Sequence, residues 1–300
     1  MPAKELKVSA ILPAYNEEDG VADVLKELGA MLARRAAAHE IIVVDDGSTD
    51  GTAAIAEKNG AKVVRHPVNG GYGRALISGL KAAEHDWILM ADADGTYPAL
   101  EAEKLFAHAD CDMVVGARRG RVFWGSPLQA FLRWVYLWMA GFVVGEALPD
   151  ANSGLRLFKK SVFLKTMPFL CLGYSFSTTM TLSFYSSGRF VKHVPIDYLP
   201  RKGRSKVRPL RDILRTMQIM TQVILYYNPL KLAIGYAGVL LAGAFAAFFY
   251  LGGSGRSAVA VLAFFWIAGL AVIAFLFGCL LDSLRMHRID QRKLDALSNY

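Results

Sequence analysis

The sequence predicts an α/β fold, Rossmann-like with a mostly parallel sheet, joined to a C-terminal two-helix transmembrane hairpin. Two patterns carry this expectation. From Lys7 to about Gly116, short apolar runs (VSAIL, IIVVD, KVVRH, WILMA, MVVGA) alternate with amphipathic stretches, as repeated strand–helix–strand units do. Further on, Leu232 to Gly255 and Ser257 to Leu281 contain no charged side chain, and about 20 apolar residues suffice to cross a bilayer. The 54% hydrophobic content of the 300 residues is thereby accounted for. Buried core helices are the alternative, but two adjacent uncharged runs of this length are rare in soluble domains.

The expected organisation is a cytoplasmic domain over 1–228, a hairpin over 229–283 with spans at about 232–253 and 257–281, and a cytoplasmic tail over 284–300. Orientation follows from the basic residues. Lys231 precedes the first span and Arg285, His287, Arg288, Arg292 and Lys293 follow the second, whereas the turn carries Arg256 alone, so both ends are expected on the cytoplasmic side of the cell inner membrane. No leader-like segment precedes the first run, in keeping with that side.

The net charge of +8 falls largely at Arg118, Arg119, Arg121 and from Arg201 to Arg215, beside apolar segments. Anionic head groups are the expected partner, and no nucleic-acid-binding motif is present. Cys111, Cys171 and Cys279 lack metal-ligand spacing. The aromatic stretch from Phe123 to Phe142 is expected to be too short and interrupted to span, and to form an interfacial helix over about 124–145; a core helix is the alternative. A second amphipathic helix is expected over 209–227, with Leu210, Ile213, Leu214, Met217 and Met220 on one side.

In parallel sheets, ligands bind at the carboxyl ends of strands. The string MADADGTYP ends an apolar run in Asp92 and Asp94, which alternation along an extended chain puts on one side. Two such carboxylates suit Mg²⁺ or Mn²⁺ bridging a diphosphate. In VVDDGSTDGT, Asp46 is placed to accept hydrogen bonds from a base imide or a ribose hydroxyl, while Ser48 and Asp50 are also suited to cap the next helix. In NGGYGRALISGL, glycines including Gly73, with Arg74, open a helix whose N–H groups suit an anion. The Gly-Lys-Ser/Thr ending of a Walker sequence is missing.

Together LPAYNEE, VVDDGSTDGT, NGGYGRA and MADADGTYP resemble the family 2 glycosyltransferases of GT-A fold, over roughly the first 220 residues. GARRGR, DANSGLRLF and YLPRKGRSKVRP, followed by two apolar helices, resemble the polyprenyl-phosphate sugar synthases within that family, such as dolichyl-phosphate mannose and glucose synthases. The resemblance implies an inverting, metal-dependent hexosyltransferase using a UDP- or GDP-sugar, with undecaprenyl or dolichyl phosphate as acceptor and a role in cell-envelope or glycan assembly. It implies Pro13, Tyr15, Glu17 and Asp46 at the nucleoside, and Asp92 and Asp94 at the metal and diphosphate. One departure is Thr96, where the mannose synthases often carry a glutamine metal ligand.

A sugar hydroxyl needs a general base, whereas a phosphate monoester, with a second pKa of about 6, is already mostly ionised at neutral pH. Positive side chains then do the positioning. Arg118, Arg119, Arg133 and Arg156 are the candidates for the acceptor phosphate, and Arg201, Lys202, Arg204 and Lys206 for a loop over the donor diphosphate. Asp150 is the candidate base if the acceptor is a hydroxyl, as in a diacylglycerol or ceramide glycosyltransferase. An inactive membrane scaffold of the same fold is the alternative outside enzymology. Gly235, Gly238 and Gly243 would support a homo-oligomer.

Overall fold

The computed structural model describes residues 6–167, 176–200, 209–255 and 257–298. Arg201, Lys202, Arg204 and Lys206 lie outside them. The chain divides into two compact units, Met1–Met220 and Thr221–Tyr300.

The first unit is built on a seven-stranded sheet in the order β3-β2-β1-β4-β6-β5-β7. Its strands are β1 (Lys7–Ala14), β2 (Ala38–Asp45), β3 (Lys62–Arg65), β4 (Trp87–Met90), β5 (Met113–Arg119), β6 (Arg156–Lys159) and β7 (Val191–Asp197). All five expected runs are strands. The sequence reading did not find β6, which is four residues long, or β7, which contains Pro195 and alternates with Lys192 and His193. Only β6 runs antiparallel, to both β4 and β5. It therefore starts at the edge where the parallel strands end, and the chain entering it, Asp150 to Leu155, lies along that edge.

Period-two alternation sends Val8, Ala10 and Leu12 of β1 to one face and Ile11 to the other. The first set packs with Leu25, Leu28, Met31 and Leu32 of α1 (Val21–Arg35) and with Leu105 of α4 (Ala99–Leu105). Ile11 packs with Leu76 and Leu80 of α3 (Tyr72–Ala82), Phe163 of α7 (Lys160–Thr166) and Met180 and Phe184 of α8 (Phe176–Ser186). Both faces are covered, as a mostly parallel sheet requires. The short α2 (Thr52–Lys58) follows β2.

After β5 come α5 (Arg121–Trp124) and α6 (Pro127–Val144). Ser126 caps α6 in a reciprocal box with Gln129, and Gly145 ends it at φ 93°; these signals bound the helix on both sides. The aromatic stretch is broken at Gly125 and Ser126, with Phe123 and Trp124 on α5, but from Pro127 it is an unbroken helix of 18 residues, which by length and composition joins α10 and α11 as apolar enough to cross a membrane. Its rise gives about 27 Å, and it is tied to the sheet domain by the Tyr136 hydroxyl, 2.8 Å from Thr178 Oγ1. Phe131, Trp134, Trp138 and Phe142 are exposed.

The division between units falls within α9 (Pro209–Tyr227). On that helix Met220, Val223 and Ile224 are buried, while Met217, expected on the same stripe, is exposed. In the second unit, α10 (Pro229–Gly253) and α11 (Ser257–Ser298) pair as a hairpin. Phe264 packs edge-on to Phe245 and Phe248, with centroids 5.1 and 5.8 Å away. The residues read as a tail continue α11 to Ser298.

Helix α3 can sit low on the sheet because it has no side chain at Gly79, where a Cβ would overlap Ile11 and lie 3.2 Å from Val44 Cγ2. Overpacking such a contact costs about 1–3 kcal/mol. Gly79→Val is therefore expected to lower the melting temperature of the detergent-solubilised chain, and an unchanged value would contradict this close approach.

Candidate active site

Each parallel strand hands its chain to a loop at the same edge, and these loops enclose a cavity of about 500 Å³, within the range of small-molecule sites. Among the sequence-predicted residues, Pro13, Tyr15, Glu17, Asp46, Asp92, Asp94 and Arg118 line it. Gly73, Arg74, Arg133, Asp150 and Arg156 are not part of the lining.

The loops after β1 and β2 are sewn together. Asn16, at φ 53°, donates its N–H to Ser48 Oγ and accepts from the Thr49 N–H, each at 2.9 Å. The Glu17 N–H donates to Thr52 Oγ1 at 2.9 Å and the Gly51 N–H to Glu18 Oε2 at 2.8 Å. Neither Ser48 nor Asp50 is the N-cap of α2, which is Gly51; Asp50 instead accepts from the Thr52 N–H at 3.0 Å, just inside the helix.

Asp46 is buried, and its carboxylate is already a structural anchor. It accepts from the N–H groups of Gly70 (2.9 Å) and Gly71 (2.7 Å), and His66 Nδ1 lies 2.6 Å away. The far ring nitrogen of His66 is 2.9 Å from Ser78 Oγ. Gly71, at φ 90°, makes the turn into α3 that these bonds hold.

Asp92 and Asp94 line one wall of the cavity, though not by alternation along a strand: β4 ends at Met90, and Ala93 and Asp94 form a turn. The Thr96 N–H and hydroxyl both donate to Asp94 Oδ1, at 3.1 and 2.7 Å. Thr96 thus orients an aspartate at the position where a glutamine ligand would stand. The Tyr72 hydroxyl donates to Asp92 Oδ1 at 2.9 Å. Burial, followed by the Asp92 charge, holds that hydroxyl well above its ordinary pKa, so it remains a donor. No group of three or more His, Cys, Asp or Glu that could ligate a metal occurs among the described residues. Two hard carboxylates beside a cavity fit Mg²⁺ or Mn²⁺, which complete their shells with substrate phosphate and water.

Arg118, at the end of β5, also lines the cavity. Its guanidinium grips Asp150 through two bonds, Nε to Oδ2 at 2.7 Å and Nη2 to Oδ1 at 3.0 Å. Phe123 and Tyr198 flank it with ring centroids 5.1 and 5.4 Å away. Burial alone would raise the Asp150 pKa, but Arg118 and the N–H groups of Asn152 and Arg118 outweigh it and hold the carboxyl below its ordinary range. Asp150, the candidate base, is therefore ionised and fully engaged, which makes it a poor proton acceptor.

Two other candidates also take different places. Arg156 is completely buried: it donates to the carbonyls of Ser153 (2.8 Å) and Ala151 (3.1 Å) and to Thr181 Oγ1 (2.8 Å). Burial draws its pKa down to about 10, yet it stays charged at neutral pH and braces the 150–154 loop from behind, out of reach of any acceptor. Arg119 is exposed and pairs with Asp197 at 2.9 Å. Arg133 of α6 lies over the Phe123 ring, 4.4 Å from its centroid, and its Nη1 is buried with no hydrogen-bond partner among the described residues.

The sequence reading did not single out Tyr72, Tyr97, Asn152, Gly154, Ser177 and Tyr198 of the lining. The first four and Tyr198 lie inside strings already marked as informative; Ser177 carries no local signal and reaches the cavity only through the fold. His193 was likewise unmarked. Its Nε2–H donates to the Asp150 carbonyl at 3.1 Å and its Nδ1 accepts from the Tyr185 hydroxyl at 3.2 Å.

A mixed sheet with glycine turns and paired aspartates at its carboxyl edge defines a GT-A glycosyltransferase. The chain belongs to the glycosyl transferase family 2, whose family model matches residues 9–165. It is 32% identical over 220 residues to the low-salt glycan biosynthesis hexosyltransferase Agl6 of Haloferax volcanii, covering 71% of this chain and 52% of that one; the chain thus spans about half the length of that relative. It is 29% identical over 252 residues to the undecaprenyl-phosphate 4-deoxy-4-formamido-L-arabinose transferase of Pseudomonas fluorescens, covering 79% and 72%. Among solved structures, it resembles the glucosyl-3-phosphoglycerate synthase of Mycobacterium tuberculosis in complex with Mn²⁺, UDP and glucosyl-3-phosphoglycerate (TM-score 0.55, 24% identity, 73% and 79% covered). The mannosyl-3-phosphoglycerate synthase of Rubrobacter xylanophilus is similar at TM-score 0.57 and 24% identity, covering 73% and 74%.

Burial lowers the His193 pKa from about 6.5 to about 4. A base whose folded pKa is depressed stabilises the fold above its unfolded pKa and loses that contribution as pH falls toward the folded value. Wild-type stability is therefore expected to decline as pH falls from 6.5 to about 4. His193→Gln, which keeps a donor and cannot charge, should flatten that decline in denaturation midpoints; identical pH profiles would contradict the assignment.

Proposed function

We propose that the protein transfers a hexose from a UDP- or GDP-sugar to a polyprenyl phosphate, with inversion and with Mg²⁺ or Mn²⁺. The observation that carries this reading is one cavity lined by Asp92, Asp94 and Arg118, with Arg118 held by Asp150. The carboxylate that would serve a hydroxyl acceptor as base is committed to a guanidinium, so the site favours an acceptor that arrives ionised.

Pro13, Tyr15 and Glu17, with the Asp46 carboxylate between its glycine donors, would hold the nucleoside, and Asp92 and Asp94 would face the diphosphate. A bound divalent ion would neutralise charge on the departing nucleotide diphosphate. An acceptor phosphate oxygen then attacks the anomeric carbon from the face opposite the leaving group, forming one C–O bond as the other breaks. Arg118 and Arg133 orient that phosphate. The partnerless Nη1 of Arg133 supports its part in this, since a buried guanidinium nitrogen without an acceptor is costly. The 201–206 cations are proposed to close over the donor.

The proposed domain plan remains a sheet domain over 1–228, a hairpin over 229–283 and a tail over 284–300. The sheet domain and tail are placed on the cytoplasmic side of the inner membrane, with α6 in the head-group plane. Its exposed aromatic residues support this placement. The relative that acts, by its name, on undecaprenyl phosphate supports the acceptor.

The test is transfer of labelled sugar from UDP- and GDP-sugars by the detergent-solubilised chain, offering polyprenyl phosphate, diacylglycerol, ceramide and 3-phosphoglycerate with and without Mn²⁺. Label is expected in polyprenyl phosphate only, with metal only. Asp94→Asn should reduce transfer by about 100-fold or more, the scale of losing an electrostatic contact to the leaving group. Arg133→Ala should raise the KM for polyprenyl phosphate by about tenfold while sparing the donor KM, as loss of a charge-assisted hydrogen bond predicts. Label in ceramide or diacylglycerol instead would overturn the acceptor.

A further inference from the structure

We propose that Gly154 and Tyr72 are positioning residues that aim the Asp92 carboxylate at the donor diphosphate and its divalent ion. The inference rests on the donor half of the reading above and is independent of the acceptor.

At Gly154, a Cβ would stand 2.5 Å from Asp92 Oδ2 and 2.8 Å from both Cγ and Oδ1. Real Cβ atoms do not approach so closely. The backbone of the Asp150–Gly154 loop is thus laid against the carboxylate itself, closing off the side on which a side chain would sit. Gly154 does not have a positive φ, so chain conformation does not demand glycine here. The contact with Asp92 does.

That backbone has little freedom to retreat. The Gly154 N–H donates to the Tyr97 hydroxyl at 2.8 Å. Arg156, fully buried, holds the carbonyls of Ala151 and Ser153, and Arg118 and His193 hold Asp150 at the other end of the loop. A methyl group at 154 would therefore be accommodated by displacement of the Asp92 side chain.

Tyr72 acts on the same carboxylate from the opposite element. Its hydroxyl fixes Oδ1 at 2.9 Å, and its place at the start of α3 is set by the Gly71 turn, whose N–H is bonded to Asp46. One aspartate is thus held between a glycine backbone from the loop before β6 and a phenol from the loop after β3. Misplacing a catalytic group by about 1 Å costs about 100-fold, so this setting matters to any ion shared between Asp92 and a diphosphate.

The experiment is isothermal titration of UDP and of GDP into the detergent-solubilised full chain, with and without Mn²⁺, for the wild type, Gly154→Ala, Tyr72→Phe and the double variant. Gly154→Ala is expected to weaken Mn²⁺-dependent binding by about tenfold or more and to leave metal-free binding unchanged. Tyr72→Phe should weaken the same term less, and the double variant should lose less than the product of the two single losses, because both act on one carboxylate. Wild-type Mn²⁺-dependent affinity in Gly154→Ala, or an equal loss with and without metal, would overturn the inference. Should Gly154→Ala not fold, Tyr72→Phe decides it, since unchanged Mn²⁺-dependent affinity there overturns it as well. A wild type whose UDP and GDP binding ignores Mn²⁺ would instead overturn the donor reading, and the inference with it.

Discussion

The pairing of Arg118, at the cavity lining, with the buried Asp150 is the constraint on which the site depends. A buried ion pair is stable only when its remaining hydrogen-bonding capacity is also met. Here the Asn152 and Arg118 N–H groups, His193 at the Asp150 carbonyl, and Phe123 and Tyr198 beside the guanidinium meet it. Satisfying that pair fixes the course of the loop from Asp150 to Gly154. Through Gly154 the loop in turn presses on Asp92. A single short antiparallel strand, β6, makes this possible, because it must begin at the edge where all the parallel strands finish.

The pair also sets the chemistry. A carboxylate kept ionised by a neighbouring guanidinium has little affinity for a proton, and its oxygens already accept from four donors. Arg118 lines the cavity, and Arg133 stacks on Phe123 outside the lining. Asp92 and Asp94 line the same cavity, held by Thr96, Tyr72 and the glycine backbone. The proposed donor, whose leaving group is a diphosphate, and the proposed acceptor, which carries its own negative charge, suit these groups.

Much of the frame was legible because its signals are local. The five apolar runs, the glycine turn at Gly71 and the Asp92–Asp94 string are short-range patterns, and the family resemblance rests on the same strings. Asp92 and Asp94 do share a wall, although a turn rather than an extended strand brings them there. What the sequence did not reveal depends on distant contacts. Arg156 reads as one more cation in a basic chain, and only the fold shows that its hydrogen bonds are to carbonyls of its own loop. Asp150 reads as a free base until β5 delivers Arg118 to it. The aromatic stretch from Phe123 to Phe142 reads as too short and interrupted to span, yet past the break at Gly125 the Ser126 box and Gly145 bound an unbroken α6.

The account's central claim is that the acceptor supplies its own charge. It is tested most directly by offering a polyprenyl phosphate and the polyprenol of the same chain length, with one labelled donor and Mn²⁺, and measuring the initial rate of lipid labelling. The account predicts a mild-acid-labile product from the phosphate and no product from the alcohol. Equal or faster labelling of the alcohol would contradict it.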